Sequence, residues 1–349
     1  MTTKNMKPTT LAIDIGYGNT KLVFGFESGS WSELCFKSTA PRSLVNAAGL
    51  SGGLSASLDR VSIPLAGAEY LVGPEAHISG GGAILGTDFV SRPEYLALLR
   101  GAIFYMMKKS GAMIRHLDVL VLGLPVSNWQ SRKDELATLG KGPHRIPVPQ
   151  ALHAIHGDTM DVTVGKVIVL PQPMGALHYS TFITPANQKM DAAIHMVIDP
   201  GYNTFDWFTS AGLRPDLQRS GSLQGGVSQL LKLVSNAAGA KLGVGSLNLG
   251  EVEKGLSEGV MNAHGKRMDM VEFRPLMQAA AAQVVDRFVN SIDMSLGVNV
   301  IHLAGGGAGF YIDALRQAFS GYDIKMESAS VMSNARGFFL VGRAVAGMM

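Results

Sequence analysis

Short apolar runs separated by glycine-rich polar breaks run the length of the chain, and their spacing predicts its elements. In "LAIDIGYGNTKLVF", residues 11 to 24, Leu11, Ile13 and Ile15 alternate ahead of a polar turn. Leu22, Val23 and Phe24 resume after it, so residues 10 to 27 read as strand, tight turn, strand. "VSIPLAGAEYLVG" reads as a second hairpin. The Gly/Ser-rich stretches 43–57 and 79–87 beside it read as loops of a small subdomain spanning about 40–92. A helix is expected from Pro93 to Lys109. "LDVLVLGLP", 117 to 125, is the continuous apolar run of a strand buried on both faces. Ser127 to Leu139 reads as helix, residues near 144–148 and 160–170 as strands, and "QPMGALHYS" as the entry to another helix.

Near residue 190 the pattern restarts. "AIHMVIDPGYNTFDWF", 193 to 208, is again strand, tight turn, strand. Helices are expected near 225–239, 248–258 and 270–293. "VNVIHLAGGGAGFYIDALRQAF" reads as strand, glycine turn, helix, and a last helix is expected at 334–346. Asp14-Ile15-Gly16-Tyr17-Gly18-Asn19-Thr20 and Asp199-Pro200-Gly201-Tyr202-Asn203-Thr204 match if one glycine is gapped. Self-similarity 185 residues apart implies two related halves rather than a solenoid. We therefore expect domain I over 1–185 and domain II over 186–349, the second with a small subdomain near 238–272, with the chain crossing between the halves near 180–190 and again at the terminal helix.

Composition narrows the class. The 349 residues, 46% hydrophobic and 16% charged, suit two folded domains with a sizeable core. A net charge of +3 does not predict a large nucleic-acid surface, so no strong direct binding to nucleic acid is expected. The single cysteine, Cys35, excludes an intrachain disulfide and fits a reducing cytoplasm. The first residues, MTTKNMKPTT, lack a signal-peptide core, and no apolar run reaches the roughly 20 residues a membrane helix needs, so no membrane association is expected.

The chemistry concentrates in the turns. The first is not a G-x-G-x-x-G fingerprint opening a helix, nor a P-loop, because the chain continues from Lys21 as strand. A hairpin of small residues still binds phosphate: successive amides form an anion nest, and glycine lets the backbone approach closely. Asn19 and Thr20 offer side-chain donors and Lys21 a positive charge. Asp14 would repel a phosphate unless a cation intervenes, and Mg²⁺ takes both carboxylate and phosphate oxygens. Asp14 and Asp199, on opposed hairpins, would then flank one metal ion. In "HLAGGGAGFY", Gly305, Gly306 and Gly307 offer a surface for a base or ribose at a helix N-terminus, ahead of Phe310.

The order of hairpin, "VIVLPQPMGAL", hairpin, "LAGGGAGF" and "SNARGFFLVGRA" resembles the five nucleotide-binding motifs of the actin, Hsp70 and sugar-kinase superfamily, from Leu11 to Arg343. "NARGF" at 334–338 and "YLVGPEA" at 70–76 resemble the ParM/StbA-like branch of bacterial actin-like proteins and its PRTRC-type relatives. The resemblance implies two actin-like (RNase H-like) α/β domains, with mixed sheets flanked by helices around a central nucleotide cleft. It implies Asp14 and Asp199 as the metal-linked acids of the two phosphate motifs, and Lys21 on the β-phosphate side. Gly16, Tyr17, Gly18, Asn19 and Thr20 would form the first clamp, and Gly201, Tyr202, Asn203 and Thr204 the second. Gln172 falls where such ATPases carry a residue that orients the attacking water. The second turn departs from the family pattern in having Pro200 and in lacking an extra glycine.

Other residues are open to two readings. Gly225 and Gly226 either approach the nucleotide or simply start a helix, and Glu251 and Glu253 either reach the ribose or are solvated. Asp206 is either a metal-linked acid or pairs on its hairpin. His153 and His156 read as surface residues rather than a metal pair, and Trp31, Trp129 and Trp207 as packing residues. The resemblance implies an ATP- and Mg²⁺-dependent cytoplasmic ATPase that polymerises into filaments and segregates plasmid DNA through an adaptor protein. The alternative is a sugar or acyl-carboxylate kinase of the same superfamily, which would need an acid where this chain has Gln172.

Overall fold

A computed structural model describes residues 8–26, 30–43, 58–80, 86, 88–153, 157–184, 193–293, 297–326 and 330–347. The chain divides into two compact units, Met1–Pro185 with Met332–Met349, and Ala186–Val331. Most of the glycine-rich stretches 43–57 and 79–87, and His156, lie outside the described residues.

The first unit is built on six strands in the order β3-β2-β1-β6-β8-β7. They are β1 (Pro8–Ile15), β2 (Asn19–Phe26), β3 (Trp31–Lys37), β6 (His116–Leu124), β7 (His144–Pro147) and β8 (Thr159–Pro171). The hairpins are antiparallel, whereas β1, β6 and β8 run parallel. A separate hairpin, β4 (Val61–Leu65) with β5 (Ala68–Val72), packs on helix α1 (Pro93–Ser110). The period of two sorts the sheet's faces. Leu120 and Leu122 of β6 meet helix α2 (Val126–Lys141) at Gly140. Val119 and Val121 meet the closing helix with Ala12 and Val23.

The closing helix corrects the boundary of the second domain, though a second crossing there is expected. Residues 332–349, expected in domain II, belong to the first unit. Helix α8 (Ser333–Val345) lays Ala335, Phe338 and Phe339 on the first sheet and crosses helix α3 (Gln172–Ile183) so closely that a Cβ on Gly337 would stand 1.7 Å from the Gly175 carbonyl oxygen. Arg336 fastens the crossing, donating to Glu33 of β3 at 2.9 and 2.8 Å and to the Tyr179 hydroxyl at 3.0 Å. The guanidinium holds the Glu33 carboxyl below its ordinary pKa. "SNARGFF" is thus the sequence of a helix crossing.

The second unit repeats the plan with the order β11-β10-β9-β14-β15. Its strands are β9 (Ile194–Pro200), β10 (Thr204–Ala211), β11 (Arg214–Gln224), β14 (Val300–Leu303) and β15 (Ile324–Met326). Helices α4 (Val227–Leu242), α6 (Arg274–Val289) and α7 (Ala308–Ala318) bury Leu230, Val234, Val285, Phe288, Tyr311 and Leu315 against Met196, Ile198, Phe205 and Ile301. Helix α5 (Leu249–Glu258) and the hairpin β12 (Val260–Ala263) with β13 (Lys266–Asp269) form a small appendage. Both units are therefore α/β, each a mixed sheet flanked by helices.

Candidate functional site

The two hairpins have the same backbone. In the first, the Gly16 amide donates to the Asn19 carbonyl at 3.1 Å; in the second, Gly201 donates to Thr204 at 2.8 Å. Asp14 pairs with Lys21 across its ladder and Asp199 with Asp206 across the other. The hairpins therefore align without a gap, which corrects the gapped match: Gly18 answers to Asn203, Asn19 to Thr204 and Lys21 to Asp206. Turn length is fixed by where the glycine amide closes, not by which letters recur.

This alignment exposes a chemical difference. Asp14 is fully buried, and its carboxylate takes Lys21 Nζ at 2.8 Å on one oxygen and Gln172 Nε2 at 2.7 Å on the other. An ionised carboxylate only accepts, so the Gln172 amide nitrogen faces Asp14 and its carbonyl oxygen is left to accept from another donor. In the second hairpin the lysine's place is taken by an acid. Asp206 is 3% exposed and accepts from the Thr204 hydroxyl at 2.7 Å. Burial, reinforced by the Asp199 charge, pushes its pKa up to about 7. One hairpin neutralises its aspartate with an ammonium group; the other sets two carboxyls side by side.

Several expected contacts are corrected. Thr20 was expected to donate to phosphate, but it shares the parity of Ile15 and Leu22, is fully buried, and bonds the Ser38 hydroxyl at 2.9 Å. Tyr17 is 8% exposed, packed on Phe89, with its hydroxyl donating to the Gly86 carbonyl at 3.2 Å. Gly225 and Gly226 are buried and serve packing: Tyr311 donates to the Gly225 carbonyl, and a Cβ on Gly226 would lie 2.5 Å from the backbone of Tyr202 and Asn203. The amides of Gly226, Val227 and Ser228 at the start of α4 donate to the carbonyls of Asn203, Gly201 and Tyr202. With its carbonyls so engaged, the second turn presents the Tyr202 and Asn203 amides, which no backbone acceptor takes among the described residues.

The three glycines after β14 divide their work. Gly305, at φ +80°, packs on Asp199, where a Cβ would sit 2.1 Å from Oδ1. Gly307 packs beneath Pro200, donating to its carbonyl at 2.9 Å. Gly306 is exposed and free to meet a ligand. Just beyond it Phe310 lines a cavity of about 340 Å³ with Leu256, Met270, Arg274, Gln278 and Asp313. Apart from Phe310 these residues escaped sequence reading; the available signal was Arg274 and Gln278, one turn apart at the start of α6. Glu251 is exposed on α5, whereas burial, with the half-buried Glu253 charge adding to it, raises the Tyr202 hydroxyl pKa, so Glu253 is the glutamate beside the second turn. His153 bonds the Val148 carbonyl. Trp129 donates to the Val169 carbonyl, Trp207 packs on Phe288, and Trp31 stands edge-on to Phe339.

Two α/β units, each opening on the same aspartate hairpin, define an actin-like architecture. The family described as actin-like proteins, N-terminal domain, matches residues 12–175, and that described as archaeal actin homologue MreB-like, C-terminal, matches 197–317. The chain belongs to the actin-like proteins. Its fold is shared by apo psk41 ParM at 17% identity and TM-score 0.68, covering 99% of each chain. A 15-stranded ParM filament from Clostridium botulinum matches at 17% and 0.70, over 97% of this chain and 100% of that one. An archaeal actin homologue in complex with ADP matches at 17% and 0.70, over 96% and 99%. No sequence among the curated proteins matches the chain. Among the described residues no helix is long and apolar enough to cross a membrane.

Proposed function

We propose that the chain is a cytoplasmic ATPase that binds Mg-ATP through its two aspartate hairpins, hydrolyses it slowly and assembles into filaments. The observation that carries this reading is the pair of gap-free hairpins, each closed by a glycine amide and each carrying a buried aspartate one residue before the end of its first strand. Gly306 and the Phe310 cavity suit a base, and the turn amides suit phosphate oxygens. The donor set also suits a divalent cation. Asp14 already holds Lys21 and Gln172, so Asp199 with Asp206 beside it is the better place for a hydrated Mg²⁺, which when bound would offset phosphate charge.

The chain's own residues then have distinct tasks. Lys21, held at Asp14, keeps a positive charge at the first turn. Gln172 has its amide nitrogen tied to Asp14, so its carbonyl oxygen accepts from a water and orients it; an amide is not a base, which suits slow hydrolysis by positioning. Two of the related solved structures are named as filaments, and one relative as an ADP complex, which supports assembly and nucleotide binding here. Plasmid segregation through an adaptor is the cellular role we assign, motivated by the ParM-type likeness and the small net charge.

Sedimentation of the full chain with ATP, with ADP and without nucleotide tests the reading. Pelleting that needs ATP and is lost in Asp14→Ala and Asp199→Ala is expected. Phosphorylation of an added sugar or acyl carboxylate without pelleting would replace it with the kinase reading.

A further inference from the structure

Tyr17 sits in the middle of the first turn with its side chain buried. Its ring centroid is 5.3 Å from that of Phe89, with the planes tilted by 31°, and its hydroxyl reaches Gly86. Phe89 in turn stands edge-on to Tyr95 at 4.9 Å, and Tyr95 is buried in α1. The middle of this ladder is braced from both sides. Arg92 donates from Nε and Nη2 to the two Asp88 oxygens at 3.0 Å each. Ser91 donates to Glu135 of α2 at 2.7 Å and accepts from Arg132 at 2.8 Å. Three rings therefore run from the turn into a helix.

The two turns differ in what steadies them. The second has its three carbonyls held by the first amides of α4. The first turn's backbone bond outward runs instead from the Ser38 amide, just past β3, to the Gly18 carbonyl at 3.0 Å. A turn with glycine on either side of residue 17 deforms at little cost, whereas an amide nest binds an anion well only if its donors converge beforehand.

We propose that Tyr17 is a positioning residue of the first turn: anchored on Phe89 and Gly86, it fixes the backbone of Gly16 to Asn19 for an anionic ligand without touching that ligand. This deepens the nucleotide reading above and rests on it. The second turn needs no such anchor because a helix start supplies it.

The test is calorimetric titration of the full chain with Mg-ADP, in wild type, Tyr17→Phe, Tyr17→Ala, Phe89→Ala and the Tyr17→Ala/Phe89→Ala double variant, each also unfolded thermally without nucleotide. Tyr17→Phe keeps the ring contact and should stay within about threefold of wild-type affinity, while Tyr17→Ala and Phe89→Ala should each weaken binding about tenfold or more. The double variant should bind no more weakly than the poorer single one, because both remove the same ladder. Phe89→Ala binding like wild type, or losses that multiply in the double variant, would overturn the inference. So would a lowered Tm with unchanged affinity, the mark of a purely structural role. Should Phe89→Ala not fold, Phe89→Leu removes the ring, keeps the bulk and carries the same expectation. A wild type that binds no nucleotide overturns the nucleotide reading as well; a binding wild type with unaltered variants overturns this inference alone.

Discussion

The acid pair of the second hairpin gives the protein a pH dependence that one substitution isolates. Asp206 titrates near 7 in the folded chain, mainly because it is buried, against an ordinary value of 3.8. Between those values the folded state keeps a proton that the unfolded chain has released, so stability falls as pH rises. The slope is about 1.4 kcal/mol per pH unit, and it flattens once the folded carboxyl ionises. Across the whole interval the loss is about 4 kcal/mol. Below the ordinary value both states are protonated and the effect vanishes. Asp206→Asn keeps an acceptor for the Thr204 hydroxyl and cannot ionise, so it lacks this slope. Denaturant unfolding of both proteins, without metal or nucleotide, from about pH 4 to about pH 8.5 measures the difference directly. The variant should gain on wild type with rising pH, becoming the more stable protein above neutrality. A difference that stays flat would refute the reasoning, since it would mean that Asp206 is ionised throughout.

Three further substitutions probe other parts of the account. Gly337→Ala must part α3 from α8, because its methyl would lie 1.7 Å from the Gly175 oxygen; a loss of about 3 kcal/mol is expected by thermal unfolding, and an unchanged Tm would contradict the close crossing. Tyr95→Phe removes a buried hydroxyl that has no hydrogen-bond partner among the described residues, so the apo protein should be as stable or more stable by up to about 1 kcal/mol, and a clear loss would reveal a partner. Lys21→Met leaves Asp14 buried without its counter-charge, which should cost about 3 kcal/mol in chemical unfolding at neutral pH and be recovered largely by adding Asp14→Asn; no recovery would mean that Lys21 acts through something other than this pair.

Much of the molecule is legible in its sequence because strand parity and turn chemistry are local. The hairpin at 11–24, the helix after Pro93 and the helix opening at Gln172 follow from apolar spacing and from proline and glycine placement. Strand β11, "RPDLQRSGSLQ", escapes because it is an edge strand whose positions are mostly exposed or half buried, leaving no apolar alternation to read. The return of α8 to the first unit follows from the family resemblance, which implies a second crossing at the terminal helix, and not from chain order, which says nothing of which sheet a closing helix will cover. At the site, residue types were readable but directions were not. Thr20 could have been assigned inward from its parity with Leu22, whereas Tyr17 turns aside only because Phe89, 72 positions later in the numbering, is there to receive it. The exchange of Lys21 for Asp206 between equivalent positions became visible only when backbone closure, not shared letters, set the alignment.

The central claim is that two equivalent aspartate hairpins serve one Mg-nucleotide. Calorimetric titration of the wild-type chain with Mg-ATP, alongside Asp14→Ala and Asp199→Ala, tests it most directly. The account predicts one nucleotide per wild-type chain and binding weakened severely by either substitution alone. Unaltered binding in either variant would contradict it.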